Sequence, residues 1–218
     1  QVEIRGNHVE VKGPKNAKDV AVGGKHACAV DGSGAVWCWG QGSMGQLGDG
    51  NVGGPGSLTA QPVAALSVKI KQVTAGWLLS CALDEAGTVW CWGDNSAGQL
   101  GTGQVDDALE PARVNGFGGA VDLAVGDDHA CVATEGGEAW CWGSNGDGQL
   151  GNGTIINSDA PVQADGLTGA ETVAAGAAHT CGLTHAGDLR CWGSDQAGET
   201  AEAIGPFSAL TACLGSTC

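Results

Sequence analysis

Short apolar runs separated by glycine-bearing polar loops make up most of the chain. The run His26-Ala-Cys-Ala-Val30 leads into Asp31-Gly-Ser-Gly34, and Ala35-Val-Trp-Cys-Trp39 follows before Gly40. Two β-prone runs flanking a glycine loop predict a hairpin. Side chains on a strand alternate between its faces. Trp37 and Trp39 therefore share one face, and Cys38 takes the other.

The same pattern returns three times, as Ser80-Cys-Ala-Leu-Asp84 to Trp92, His129-Ala-Cys-Val-Ala133 to Trp142, and His179-Thr-Cys-Gly-Leu183 to Trp192. The leading cysteines are Cys28, Cys81, Cys131 and Cys181, spaced by 53, 50 and 50 residues. Cys38, Cys91, Cys141 and Cys191 each follow ten residues later. A fixed period of this size predicts a repeat architecture in which each unit buries its faces against its neighbours. Centring the first turn on Ser33 places Cys28 opposite Cys38, and the same symmetry holds in the other three units. Directly opposed positions on two strands approach closely enough for a disulfide. Cys-x9-Cys is neither a zinc knuckle nor a redox Cys-x-x-Cys. The remaining two of the ten cysteines, Cys213 and Cys218, are expected to bridge each other. A sheet with indoles on one face and a disulfide on the other suits face-to-face packing between neighbours, as in a propeller blade.

Each hairpin is followed by a second signature, which ends in Gly-Gln-Leu-Gly at 45–48, 98–101 and 148–151 in the first three units. A Pro-Val or Pro-Ala turn comes next (Pro62-Val63, Pro111-Ala112, Pro161-Val162), and the unit closes on a motif such as Val20-Ala-Val-Gly23. Taken together, these motifs resemble the regulator-of-chromosome-condensation repeat, in its cysteine-rich bacterial form, across about residues 19 to 198. The resemblance implies an all-β propeller, typically seven-bladed. Members include a nucleotide exchange factor for a nuclear GTPase and a secreted β-lactamase inhibitor. What they share is protein binding through face loops, and no shared activity follows. Guanine-nucleotide exchange would rest on fold analogy alone.

The expected organisation is one propeller domain over 1–218, with repeats at about 19–63, 64–113, 114–163 and 164–208. Four repeats fall short of seven blades. Residues 209–218 resemble the entry to a fifth unit, with Cys218 at the first cysteine position. Val2 to Gly13 alternates apolar and polar residues around a Gly-Asn turn. Residues 1–13 and 209–218 are therefore expected to form a composite closing blade, which would remove exposed edges. The rival expectation is a propeller completed by further repeats or by another chain.

Composition narrows the function. The formal net charge is −15, which disfavours nucleic acid and anionic lipid as partners. No stretch approaches the roughly 20 apolar residues that span a bilayer, so membrane insertion is not expected. Disulfides in this number point to an oxidising compartment: extracellular, cell-surface or periplasmic, with any signal peptide outside this chain. The expected function is a non-catalytic protein-interaction module, with no cofactor and a protein partner. Contact residues are sought where the repeats disagree: Trp77 and Leu78, Asp106 and Asp107, and the loops Asp49 to Leu58 and Gln104 to Leu109. Trp77 stands outside the repeated tryptophan positions. It is read either as an interface anchor or as filler for a missing histidine.

His26, His129 and His179 precede the first cysteine by two residues, with Leu79 at that place in the second unit. A metal-binding ring about the axis is the sharper reading of these histidines. Bonding to backbone within each blade is the plainer one, so no metal is expected. An axial metal would support the alternative of a hydrolase or lyase; open sheet edges would support a purely structural segment of a larger surface protein. Gly40 to Gly45 matches a dinucleotide fingerprint by chance, because no helix follows it. Asp127-Asp128 reads as solvated surface, and Asn152-Gly-Thr154 as a sequon relevant only in a eukaryotic secretory host.

Overall fold

The computed structural model describes residues 4–5, 8–9, 11–51 and 54–195. Strands β1 (Ile4–Arg5) and β2 (His8–Val9) pair as a hairpin, with Ile4 opposite Val9. Four antiparallel sheets follow. The first contains β3 (Asp19–Val22), β4 (His26–Val30), β5 (Val36–Gly42) and β6 (Gly54–Pro62). The second contains β7 (Ile70–Ala75), β8 (Leu79–Asp84), β9 (Val89–Gly93) and β10 (Ala108–Arg113). The third contains β11 (Ala120–Val125), β12 (His129–Thr134), β13 (Ala139–Gly143) and β14 (Ser158–Gln163). The fourth contains β15 (Ala170–Ala175), β16 (His179–Thr184) and β17 (Leu189–Gly193). Each sheet meanders in chain order and is one blade. The first strands of successive blades touch one another, which places them around the axis.

The hairpin register follows the cysteine symmetry. Cys28 faces Cys38, Cys81 faces Cys91, Cys131 faces Cys141 and Cys181 faces Cys191. All four pairs are disulfides, with Cα atoms 4.0–4.1 Å apart. That separation belongs to the closely spaced, non-hydrogen-bonded sites of an antiparallel ladder. Cys213 and Cys218 lie outside the described residues, as do most of the two segments expected to form a closing blade.

Packing between blades is directional. Each blade turns its disulfide face forward and its second tryptophan backward. Cys28, Val36 and Cys38 of blade one meet Val73, Ala82 and Trp92 of blade two. Cys81, Val89 and Cys91 of blade two meet Leu123 and Trp142 of blade three. Cys131 and Cys141 of blade three meet Val173, with Trp192 packed against them, in blade four. Trp92 and Trp142 are completely buried. Their indole N–H groups, and that of Trp192, donate to the carbonyls of Gln46, Gln99 and Gln149 in the preceding blade. The Gly-Gln-Leu-Gly signature is thus the seat for the next blade's tryptophan. Its last glycine must be small: a Cβ on Gly101 would stand 2.7 Å from the Trp142 ring. The first tryptophans serve their own hairpin turn, Trp37 and Trp90 donating to Asp31 and Asp84. Arg190 has this place in blade four and is exposed.

The inner strands are clamped as well. The Asp19 carboxylate accepts the Val73 N–H at 2.7 Å, and Asp122 accepts the Val173 N–H at 2.9 Å. Both amides lie just past a register shift in their own strand, between Ile70 and Gln72 and between Ala170 and Thr172. A bulge frees a backbone donor, and the preceding blade's carboxylate accepts from it.

Candidate functional site

One end of the propeller carries the loops that join first to second strands (Gly23–Lys25, Gly76–Leu78, Gly126–Asp128, Gly176–Ala178) and the long loops that join third to fourth strands. Backbone bonds tie the two sets together: Gln41, Asp94, Ser144 and Ser194 donate to the carbonyls of Lys25, Leu78, Asp128 and Ala178. The opposite end holds the tight hairpin turns and the connections between blades.

Trp77, Leu78, Asp106 and Asp107 all lie at the loop end. Trp77 is 48% exposed, and a Cβ added to Gly24 would fall 2.6 Å from its ring. The indole therefore lies across the neighbouring blade's loop. Its backbone N–H donates to the Asp127 carbonyl at 3.0 Å, which fixes its base. Trp77 does not fill the place of the missing histidine; Leu79 does, fully buried. Asp107 has a structural duty, since its carboxylate accepts the Asn95 N–H at 2.9 Å. The Asn95 side chain in turn donates to the carbonyls of Gln104 and Asp106, which shapes the loop and leaves the Asp106 carboxylate at the surface.

More apolar groups share this end. Leu58, Val105, Ile155 and Ile156 are 61–92% exposed. Val105 falls in a loop that breaks the repeat, whereas Leu58 stands in β6, because strand pairing extends into the expected loop from Gly54 onward. Ile155 and Ile156 went unrecognised in the sequence; their signal is a pair of β-branched apolar residues where the second unit has Val105 and Asp106. Among the described residues they line, with Thr154 and Trp192, an open groove of about 650 Å³. Beside Trp77, burial raises the pKa of Asp127, and burial together with the charges of Asp127 and Asp94 raises that of Asp128. The pair is half-desolvated, which differs from the freely solvated surface expected of it. Among the described residues no cluster of three histidine, cysteine, aspartate or glutamate side chains is arranged to hold a metal.

The histidines do not bond backbone within their own blades, as the plainer reading held. His26 Nε2 lies 2.7 Å from Ser80 Oγ of blade two, and His129 Nε2 lies 2.8 Å from Thr180 Oγ1 of blade four. Each hydroxyl donates its proton onward, to the Gln46 or Gln149 carbonyl. The imidazole must therefore donate from Nε2, which leaves Nδ1 bare, and both Nδ1 atoms are buried without a partner. Protonating Nδ1 would place an unsatisfied charge in the interior. Burial accordingly lowers the pKa of both histidines to about 4. These rings join blades at two separate junctions.

A meander of four-stranded blades seated on one another through tryptophans defines a β-propeller. The chain belongs to the family of the regulator of chromosome condensation (RCC1) repeat, whose models match residues 33–83, 86–133 and 136–183, and in a second form 17–46, 70–99, 120–149 and 171–199. It is 38% identical over 102 residues to the ultraviolet-B receptor UVR8 of Arabidopsis thaliana, covering 46% of this chain and 23% of that protein. Prp20p of Saccharomyces cerevisiae superposes with a TM-score of 0.76 at 20% identity, over 94% of this chain and 56% of that one. Yeast RCC1 (Prp20) in its complex with Kap60 gives a TM-score of 0.70 at 28% identity, over 81% and 43%. The chain thus spans about half the length of the solved propellers and a quarter of the receptor.

Proposed function

We propose that this propeller is a non-catalytic interaction module that holds a protein partner at its loop end, in an oxidising compartment at or outside the cell surface. One observation carries the reading: Leu58, Trp77, Val105, Ile155 and Ile156, half of the large apolar side chains exposed among the described residues, gather at that end. Exposed apolar groups, an aromatic among them, on one end of a scaffold are characteristic of binding surfaces. The packed, disulfide-stapled blades beneath them present these loops with little ordering cost on binding. One solved relative supports a binding role: yeast RCC1 (Prp20) is bound to Kap60 in one structure and is described with its binding properties to Gsp1p and histones in another. A net charge of −15 favours a basic or neutral partner. Four disulfides, one in each blade, support the oxidising compartment.

The test is affinity capture from the native source, with Trp77→Ser and Ile155→Ser/Ile156→Ser variants in parallel. A specific partner is expected to be retained by the unaltered chain and lost by both variants while their thermal midpoints stay put. Equal retention by all three would remove the loop end from consideration.

A further inference from the structure

Three asparagines in the chain precede glycine: Asn115, Asn145 and Asn152. In an Asn-Gly pair the main-chain nitrogen can attack the side chain before it, because glycine has no Cβ to shield that nitrogen. The attack needs a carboxamide free to turn and an N–H free of other bonds. The three sites differ in both.

Asn145 is completely buried. Its Oδ1 accepts the Leu150 N–H at 3.0 Å, and its Nδ2 donates to the carbonyls of Thr154 and Ile156, both at 3.0 Å. Asn152 is half-buried. Its Oδ1 accepts the Thr154 hydroxyl at 2.8 Å and the Thr154 N–H at 3.2 Å. Both carboxamides are thus held at several points, at the loop end of the propeller.

Asn115 stands at the opposite end, in the connection between β10 and β11. It is exposed, and so is Gly116. Among the described residues its side chain makes no hydrogen bond. The connection is pinned at its two ends, where Val114 and Ala120 donate to the carbonyls of Val89 and Gly87; the N–H groups of residues 115 to 119 make no bond among the described residues. A Cβ on Gly116 would meet only the Pro161 ring, no closer than 3.7 Å, so the approach to its nitrogen is open. The next blade shows that an acid suits the place. Its connection carries Asp165-Gly166-Leu167 where this one carries Asn115-Gly116-Phe117.

We propose that Asn115 is a self-modification site, at which the chain converts its own asparagine to aspartate and to β-linked isoaspartate. The Gly116 nitrogen, on losing its proton, bonds to Asn115 Cγ. The Cγ–Nδ2 bond breaks, and ammonia leaves with that proton. Water then opens the cyclic imide at either carbonyl: one opening gives aspartate, the other isoaspartate. Both add a negative charge to the connection between blades two and three. The site lies away from the loop end, so this inference is independent of the binding reading.

Ageing of the intact 218-residue chain at mildly alkaline pH, followed by proteolysis and mass spectrometry, tests it. Asn115 is expected to convert at least about tenfold faster than Asn152 or Asn145, because each of those must first release two or more hydrogen bonds. The chain unfolded in urea with its disulfides reduced is the internal clock. There the three rates are expected to draw together. Asn152 or Asn145 converting as fast as Asn115 in the folded chain would overturn the proposal. So would an Asn115 that stays intact in the fold after converting in the unfolded chain. A folded-state order that persists undiminished in urea would trace it to local sequence and overturn the structural argument.

Discussion

Acidification should loosen the blades at two identified points. His26 and His129 are neutral in the fold, with pKa values lowered to about 4 from 6.5. A histidine of depressed pKa binds fewer protons folded than unfolded, so stability falls as pH drops from about 6.5 toward 4. Integrating that difference down to about pH 4.5 gives a loss of about 2.5 kcal/mol per histidine, or about 5 kcal/mol for the pair. Natural domains have about 5–15 kcal/mol in total, so the effect is a large share of the fold's stability. Asp127 and Asp128 oppose it. Their raised pKa values mean that the folded state holds protons more readily, which adds stability as pH falls through those values. A variant separates the two contributions. His26→Leu/Ser80→Ala with His129→Leu/Thr180→Ala gives both junctions the combination of Leu79 and Ala130 found between blades two and three, both completely buried, and it leaves the aspartates alone. Urea denaturation at about pH 7.5, 5.5 and 4.5, with disulfides intact, is the assay. The parent is expected to lose stability with a slope approaching two protons per pH unit, and the variant should lose most of that slope. A parent whose stability is flat between about pH 6.5 and 4.5, or a variant with the parent's slope, would refute the reasoning.

Three further outcomes are expected. Gly126→Ala should destabilise by about 3 kcal/mol or more, because its Cβ would stand 2.3 Å from His129 Cε1 and 2.4 Å from the Gly176 carbonyl oxygen; Gly146→Ala, with no atom within 4 Å, should be neutral in the same urea assay. Trp142→Ala should cost about 3–5 kcal/mol through the cavity it leaves, whereas half-exposed Trp77→Ala should cost under about 1 kcal/mol, as read from thermal melts. On graded reduction followed by alkylation and mass spectrometry, Cys181–Cys191 should open first among the four described bridges, since Cys191 alone of these eight cysteines is partly exposed; simultaneous opening of all four would count against the blade-by-blade burial.

The hairpins and their disulfides were legible in the sequence because they are local. A glycine loop of fixed length sets the register, and register alone decides that Cys28 meets Cys38. The role of the tryptophans was half legible. Strand alternation puts Trp37 and Trp39 on one face, yet Trp37 bonds its own turn at Asp31 and Trp92 seats in the preceding blade's Gln46 loop. That difference arises from contacts about fifty residues apart, which no local pattern encodes. The histidines were misread for the same reason: the partner of His26 lies 54 residues away. A trace of it was nevertheless present, since Ser80 and Thr180 follow histidine-bearing units and Ala130 follows the one unit with leucine. Trp77 stood out because it breaks the repeat. Ile155 and Ile156 were overlooked because a loop's exposed apolar residues look like strand residues until the strand's end is known.

The account's central claim is that the loop end of the propeller is its binding surface. Affinity capture with end-specific variants tests it most directly. One variant alters the loop end (Leu58→Ser, Trp77→Ser, Val105→Ser, Ile155→Ser), and the other alters exposed apolar residues at the hairpin end (Val68→Ser, Val121→Ser). The expected result is a partner held by the parent and by the hairpin-end variant and lost by the loop-end variant, with all three proteins melting alike. A partner released by the hairpin-end variant and kept by the loop-end variant would contradict the claim.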